Sequence, residues 1–441
     1  MNRIVALPTP GHTFDPGSST YWDAAALHGE IERAFDICHL CRMCFNLCPS
    51  FPALFGAVDA HDGNVKALTP GETARVVDLC YQCKICYVKC PYTPDDGHEF
   101  QLDFPRLLTR YVVQRARRDG RSLASRMFAN PEKVGRLGTL LPTLANAANR
   151  NPLNRLLMEK AIGVHRDKAL PPFASERFSV WLGKHPEALP REARTGKVVL
   201  FHTCVVENNF PHVGQAALEV LARNGVAVTV PAQRCCGMPA LEQGDMDGAL
   251  DRARFNVASL LPLVRSGHLV VALEPTCSYT LRKEYPVILG TPEAKEVAAA
   301  VRDIHEYLWE LKGAGSLDRA FGSSPGTVGY HIPCHLKAQS IGFRSRDVMK
   351  LIPGTTVKLI DACSCHDGTW AMRRANFPLS LQWGKKAFDA LKEAQATTYA
   401  TDCSLAAMQF HQATGIHPLH PIEVVARAYR ADGFPSPVPA S

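Results

Sequence analysis

The chain has 441 residues, 46% hydrophobic and 21% charged, with 16 cysteines and a formal net charge of +7. That composition supports about three packed domains and excludes a disordered or collagen-like chain. No run approaches the ~18 apolar residues of a bilayer span, and no concentrated basic module suggests a nucleic-acid binder.

The modest positive charge suits an anionic membrane face or an acidic partner protein. Residues 1–20 are rich in Pro, Gly, Ser and Thr, and lack the basic-then-apolar order of a secretory leader. They read as an irregular arm. Cysteines in such number, without a leader, point to metal ligation in a reducing compartment instead of disulfides. The expectation is a cytoplasmic protein, with peripheral attachment at the inner membrane face left open.

A helix is expected over 21–37, with Leu27, Ile31, Ala34 and Phe35 on one side. It feeds the run CHLCRMCFNLCP, residues 38–49. Thr69, Pro70, Gly71 and Glu72 form a capping box that starts a second helix, which feeds CYQCKICYVKCP, residues 80–91. Each cysteine of the second run lies 42 residues after its counterpart. This is the ligand register of a two-cluster ferredoxin, in which the fourth cysteine of each run serves the other cluster. The expected sets are Cys38, Cys41, Cys44 and Cys90 for one [4Fe–4S] cluster, and Cys48, Cys80, Cys83 and Cys86 for the second. Zinc fits less well, because its knuckles need two cysteines each and not four ending in Cys-Pro. Leu40, Met43, Phe45, Leu47, Ile85, Tyr87 and Val88 are expected to form an apolar jacket that keeps water off the clusters.

Asp103 caps a further helix reaching to about Arg118, with Gly120 as its stop. Its arginines read as a solvated face, or alternatively as a docking surface for an acidic partner or lipid headgroups. Residues 130–196 read as a connecting segment with short helical pieces, wrapped over the surface. From Lys197 onward, strand-length apolar runs at 198–202, 226–230, 269–273, 328–332, 357–360 and 397–400 alternate with helical stretches such as 213–223, 245–264 and 379–391. That alternation indicates a mainly parallel α/β region.

The region is duplicated. Cys204 is echoed by Cys334, Cys235 by Cys363 and Cys277 by Cys403, at offsets of 130, 128 and 126. Each lies where a strand gives way to a helix, the carboxyl edge at which open α/β sheets bind ligands. The first copy offers Cys204, Cys235, Cys236 and Cys277 for a metal or iron–sulfur centre. The second offers Cys334, Cys363, Cys365 and Cys403, for which plain buried cysteines are an equal alternative. Catalytic thiol chemistry is a third option. Of the histidines on these loops (His202, His335, His366, His417 and His420), only His366 stands out as a ligand candidate.

These motifs carry a family resemblance. The two ferredoxin-type runs, FHTCVVENNFPHVG at 201–214, RCCGMP at 234–239, PTCSYTLRKEYP at 275–286, HIPCH at 331–335 and TDC at 401–403 resemble the heterodisulfide reductase-like, CCG-domain iron–sulfur proteins, among them the C subunits of anaerobic glycerol-3-phosphate dehydrogenases. The resemblance implies an electron-transfer subunit that accepts from a flavoprotein and delivers to quinone or another redox protein. A catalytic disulfide-reductase role and a non-catalytic metal-binding scaffold are the alternatives. The chain departs from the family pattern in three places. Glu274 and Ala406 replace cysteines of the Cys-x-x-Cys pairs, and the second copy has Cys363, Ser364 and Cys365 where CCG is expected.

The organisation so read is an α+β multidomain chain. An arm (1–20) precedes an α-helical ferredoxin-type domain (21–128), a connecting segment (129–196), a first α/β CCG-like repeat (197–320) and a second, degenerate one (321–441).

Overall fold

The computed structural model describes residues 6–437. The first five residues of the expected arm and the last four of the second repeat lie outside them. After a short turn at Ser19–Trp22, helix α1 spans Ala24–Cys41. Asp23 caps it by accepting from the Ala26 N–H. The expected single helix from residue 21 is therefore split at Asp23. It also runs through Cys38 and Cys41 instead of ending before them, and Arg42 closes it in the left-handed region at φ 53°.

Helix α2 (Ser50–Ala60) packs on α3 (Pro70–Leu79), whose Thr69–Glu72 capping box forms as its sequence requires. Helix α4 (Ile85–Lys89) begins at Lys84, again left-handed at φ 64°. Lys84 lies 42 residues after Arg42, so the same strained residue recurs in each cysteine loop. A non-glycine residue there costs about 1–3 kcal/mol and persists only where surrounding packing imposes it. Helix α5 (Phe104–Asp119) starts at Asp103 and stops at Gly120.

Arg106 and Arg110 of α5 depart from both expectations for them, while Arg117 and Arg118 remain exposed. Arg110 is fully buried and donates to the carbonyls of Tyr21 and Gly11. Arg106 pairs with Asp103 and with Glu284 of the first repeat. Arg117 lies over the Trp22 ring at 4.3 Å. The cations stitch the molecule together internally because each finds a carbonyl, carboxylate or ring.

Helix α6 (Leu123–Phe128) closes the helical domain, and α7 (Pro131–Gly138), α8 (Pro142–Arg150) and α9 (Pro152–Ile162) follow in the connecting segment. Two parallel sheets follow. The first has the order β2-β1-β3-β4, from β1 (Gly196–Phe201), β2 (Val226–Thr229), β3 (Leu269–Ala272) and the short β4 (Val301–Asp303). Strand β4 lacked the apolar run that betrayed the others. The second sheet has β5 (Thr327–His331) flanked by β6 (Thr356–Ile360) and β7 (Thr398–Thr401). In both sheets the central strand pairs in parallel with both neighbours, Val198 with Leu269 and Val328 with Thr398. The duplication seen in the cysteine spacing is thus a duplication of sheet topology. The chain combines a helical module with two small parallel α/β units.

Candidate metal centre

The cysteines of the helical module gather into two sets. The Cys38 thiol is pushed well above the ordinary range, first by burial and then by Cys44, Cys90 and Cys41. Burial, Cys90 and Cys41 push Cys44 up to about 12. In the other set burial and Cys80 raise Cys48, while burial, Cys80 and Cys48 raise Cys86. The fourth cysteine of each run therefore lies with the first three of the other. None of the 16 cysteines forms a disulfide. Crowded, shielded thiols without disulfides stay protonated unless a cation compensates them, which is the electrostatics of a metal-binding donor set.

Spacing refines this. Among the described residues, no three of these sulfurs lie within 4.8 Å of one another. One zinc ion with Zn–S near ~2.3 Å holds its ligands about 3.8 Å apart. The donor sets are more open than a single ion requires, and so fit the larger body of a cluster.

The apolar jacket is only partly present. Leu40 is 77% exposed, Met43 63% and Phe45 50%. They project outward because α1 and its turn present their opposite side to the core. The first thiol set consequently lies beneath an apolar surface, whereas Cys48 and Cys86 of the second are buried.

The second set meets the C-terminal repeats directly. The thiols of Cys83 and Cys334 lie close enough to shift one another, and both line one cavity. Tyr81, buried between the modules, has its hydroxyl 3.4 Å from Cys363 Sγ and donates to the Leu47 carbonyl. His335 Nε2 stands 3.0 Å from the Gln82 carbonyl and its Nδ1 2.8 Å from the Thr276 hydroxyl, which bridges the helical module to both repeats.

In the first repeat the four expected cysteines form a chain of contacts, Cys204 to Cys235 at 3.8 Å, then Cys235 to Cys236 and Cys236 to Cys277. Thr203, at φ 71°, turns Cys204 toward the others. In the second repeat Cys334 and Cys363 meet at 3.8 Å. Cys365 instead turns into the core of the helical module, and Cys403 touches no other cysteine. The second set therefore does not converge as the first does. Serine and cysteine in place of Cys-Gly leave the backbone at Cys365 strained at φ 48° and redirect the side chain.

Cysteines of both repeats line one cavity of about 120 Å³, together with Tyr81, Cys83, Glu274 and His366. A larger cavity of about 380 Å³ opens beside Cys80, but Cys80 is the one cysteine lining it. Burial pushes Asp367, which lines both cavities, up to about 7 against a hydrogen bond with Glu242, while burial and the Asp367 charge raise Glu242 well above the usual carboxylate range. Both nitrogens of His366 are shielded and unbonded. His202, His335 and His420 hold structural partners.

Three residues at the site escaped sequence reasoning. Glu132 of α7 accepts from the Cys235 N–H. Glu274, at the position of a missing cysteine, crosses to the second repeat, where its carboxylate accepts from Ser404. Its burial pushes it up to about 8. Tyr81 carried only the signal of lying between two ligand candidates.

Behind Glu274, His305 Nδ1 lies 3.3 Å from Asp402 and 3.7 Å from Asp303. His305 is fully buried, and the two carboxylates outweigh burial to raise it to about 9. Asp303 ends β4 and Asp402 follows β7, so the imidazolium clamps the two repeats together.

Paired ferredoxin-type runs ahead of a duplicated parallel α/β unit with cysteines on its carboxyl edges define an iron–sulfur protein. Family comparison agrees, for the chain joins a Fer4-like domain of the citrate utilization protein B type (residues 31–119) to two cysteine-rich CCG domains (residues 198–282 and 328–411). It is 27% identical over 324 residues to the C subunit of the anaerobic glycerol-3-phosphate dehydrogenase of Escherichia coli strain K12, covering 72% of this chain and 81% of that one. Lactate utilization protein A of Geobacillus thermodenitrificans is 28% identical over 210 residues, 45% of this chain and 84% of the relative. The B subunit of the CoM/CoB fumarate reductase of Methanothermobacter marburgensis is 27% identical over 210 residues, 47% of this chain and 40% of the relative.

Proposed function

We propose that the protein is the electron-relay subunit of a multi-subunit oxidoreductase. Two [4Fe–4S] clusters would be held by Cys38, Cys41, Cys44 and Cys90, and by Cys48, Cys80, Cys83 and Cys86. A further centre would sit on Cys204, Cys235, Cys236 and Cys277. Such clusters supply one-electron exchange, while the chain supplies thiolates, spacing and exclusion of water.

The observation that carries the reading is the series of donor sets. One lies beneath exposed Leu40, Met43 and Phe45, the next is buried against Tyr81, and the last lies at the cavity between the repeats. The apolar surface over the first set suits a flavoprotein or similar redox subunit. The cavity of about 120 Å³ is small beside the ~300–1,000 Å³ of ligand pockets, which favours relay over turnover of a disulfide substrate. The acceptor would be a quinone or another redox protein. Among the described residues no helix is long and apolar enough to cross a membrane. We place the protein in the cytoplasm, peripheral to the inner membrane face.

Anaerobic iron, sulfide and zinc determination with EPR tests the reading. Wild type should carry at least about eight irons, and Cys38→Ser and Cys80→Ser should each remove one cubane signal. Iron above about eight that disappears in Cys235→Ser would assign the further centre. A colourless protein carrying zinc in the N-terminal module would refute the relay.

A further inference from the structure

The connecting segment presents an outward face that the relay does not use. Leu137 lies in the last turn of α7, Leu140 and Leu141 in the turn leading to α8, and Leu144 in the first turn of α8, while Leu153 and Leu157 form an i,i+4 pair on α9. All six are between 55% and 73% exposed. Isolated exposed leucines are common, but a run of this kind on adjoining helices is not.

These leucines are not core residues that failed to pack, because the inward side of α7 is already fitted by glycine to the first repeat at Asn208 and to Phe173 further along the connecting segment. A Cβ at Gly135 would stand 2.5 Å from the Asn208 side chain, and one at Gly138 would stand 2.3 Å from the Phe173 ring. Glycine therefore faces the protein and leucine faces outward. Helices α6 to α9 touch in sequence, each packing on the next.

The charge on the same segment selects the occupant. Residues 121–160 contain seven basic and two acidic side chains. Arg126, Lys133, Arg136, Arg150 and Lys160 are exposed, and none makes an ion pair among the described residues. Both acids are turned inward: Glu132 accepts from the Cys235 N–H, and buried Glu159 pairs with Arg166. The arginines of α5 find partners whereas these cations do not, and free cations among exposed leucines leave an apolar surface with an uncompensated positive rim. An acidic protein would neutralise the rim but would need its own apolar complement. A second copy would bring like charge against like. An anionic bilayer answers both features, with acyl chains for the leucines and headgroups for the cations.

We propose that α6 to α9 form the surface by which this protein lies on an anionic lipid bilayer. The proposal names the attachment surface for the peripheral location given above and rests on that location, not on the cluster assignment. No chemical step is involved.

The test is flotation of the full-length holoprotein with vesicles of phosphatidylcholine alone, or with one third phosphatidylglycerol. Binding is expected to the anionic vesicles and to fall steeply with salt. Leu137→Ser/Leu140→Ser/Leu144→Ser should abolish it. Arg136→Ala/Arg150→Ala should weaken partitioning by about tenfold or more, since each cation near such a surface is worth ~1 kcal/mol. These side chains are exposed, so iron content, EPR signals and reoxidation by a soluble acceptor should match wild type in every variant. The proposal is overturned if wild type does not float with anionic vesicles, or if the leucine variant floats as well as wild type. It is also overturned if the leucines prove to drive self-association, seen as a wild-type dimer that the variant converts to monomer. Loss of the relay reading would appear instead as missing iron, whatever the vesicles show.

Discussion

At the scale of single residues, the site is governed by what burial does to charge. His305 is shut off from solvent, yet the carboxylates of Asp402 and Asp303 hold its proton to about 9. An unfolded imidazole titrates near ~6.5. Because the folded value is the higher one, the stabilising contribution is complete below about 6.5 and disappears as pH rises through about 9. It amounts to no more than about 3 kcal/mol. Urea unfolding of wild type should show a loss of stability between pH 6.5 and 9.5 that is absent in His305→Gln. Identical pH dependence in the two proteins would remove His305 as the clamp. Glu274 uses burial differently. Burial pushes its carboxyl up to about 8, and its charged form in turn raises the thiols of Cys204, Cys277 and Cys403.

At the scale of elements, docking of the short helix α7 links the connecting segment to the first repeat. Gly135 lies against Asn208, whose side-chain amide donates to the Cys204 carbonyl. Alanine at this position would gain about 1 kcal/mol of helix propensity. The new methyl would also force back a buried, hydrogen-bonded neighbour, which costs about 1–3 kcal/mol. Steric cost outweighs propensity here because Asn208 is only 2% exposed and cannot swing away. Gly135→Ala should therefore lower the thermal midpoint and open the 120–165 segment to limited proteolysis. The iron of the N-terminal module should be unchanged. Proteolysis at the wild-type rate would show that α7 is not anchored through this contact.

At the scale of the whole molecule, metal binding and folding are coupled, because the donor sets lie in the core of the helical module and at the interfaces of all three units. Removing the metal would leave crowded thiols in the helical module, among them Cys38, Cys48 and Cys86, which burial pushes well above the ordinary range. Oxidative chelation should lower amide-exchange protection first in residues 21–128 and at the contact of Tyr81 with Cys363. Strands β1 to β3, whose other side packs on the apolar cluster of Val213, Leu218 and Leu221, should keep more of theirs. Uniform protection before and after chelation would contradict this coupling.

The sequence by itself determined what depends on neighbours close along the chain. The cysteine registers, the 42-residue repeat, the Thr69–Glu72 capping box, the Asp103 cap and the strand–helix alternation rest on local hydrogen bonds, periodicity and spacing, so they were legible without coordinates. Tertiary structure alone decided which thiols meet across modules. Cys83 against Cys334, Cys365 packed into the helical module, Glu132 reaching Cys235 and Arg110 buried on carbonyls all arise from approach of distant segments. The outward turn of Leu40, Met43 and Phe45 belongs with them, since which side of a helix meets the core depends on neighbours brought by the fold. Local propensity carries no information about those partners. They are selected by which surfaces the chain can bury together while leaving no charge or polar group unpaired.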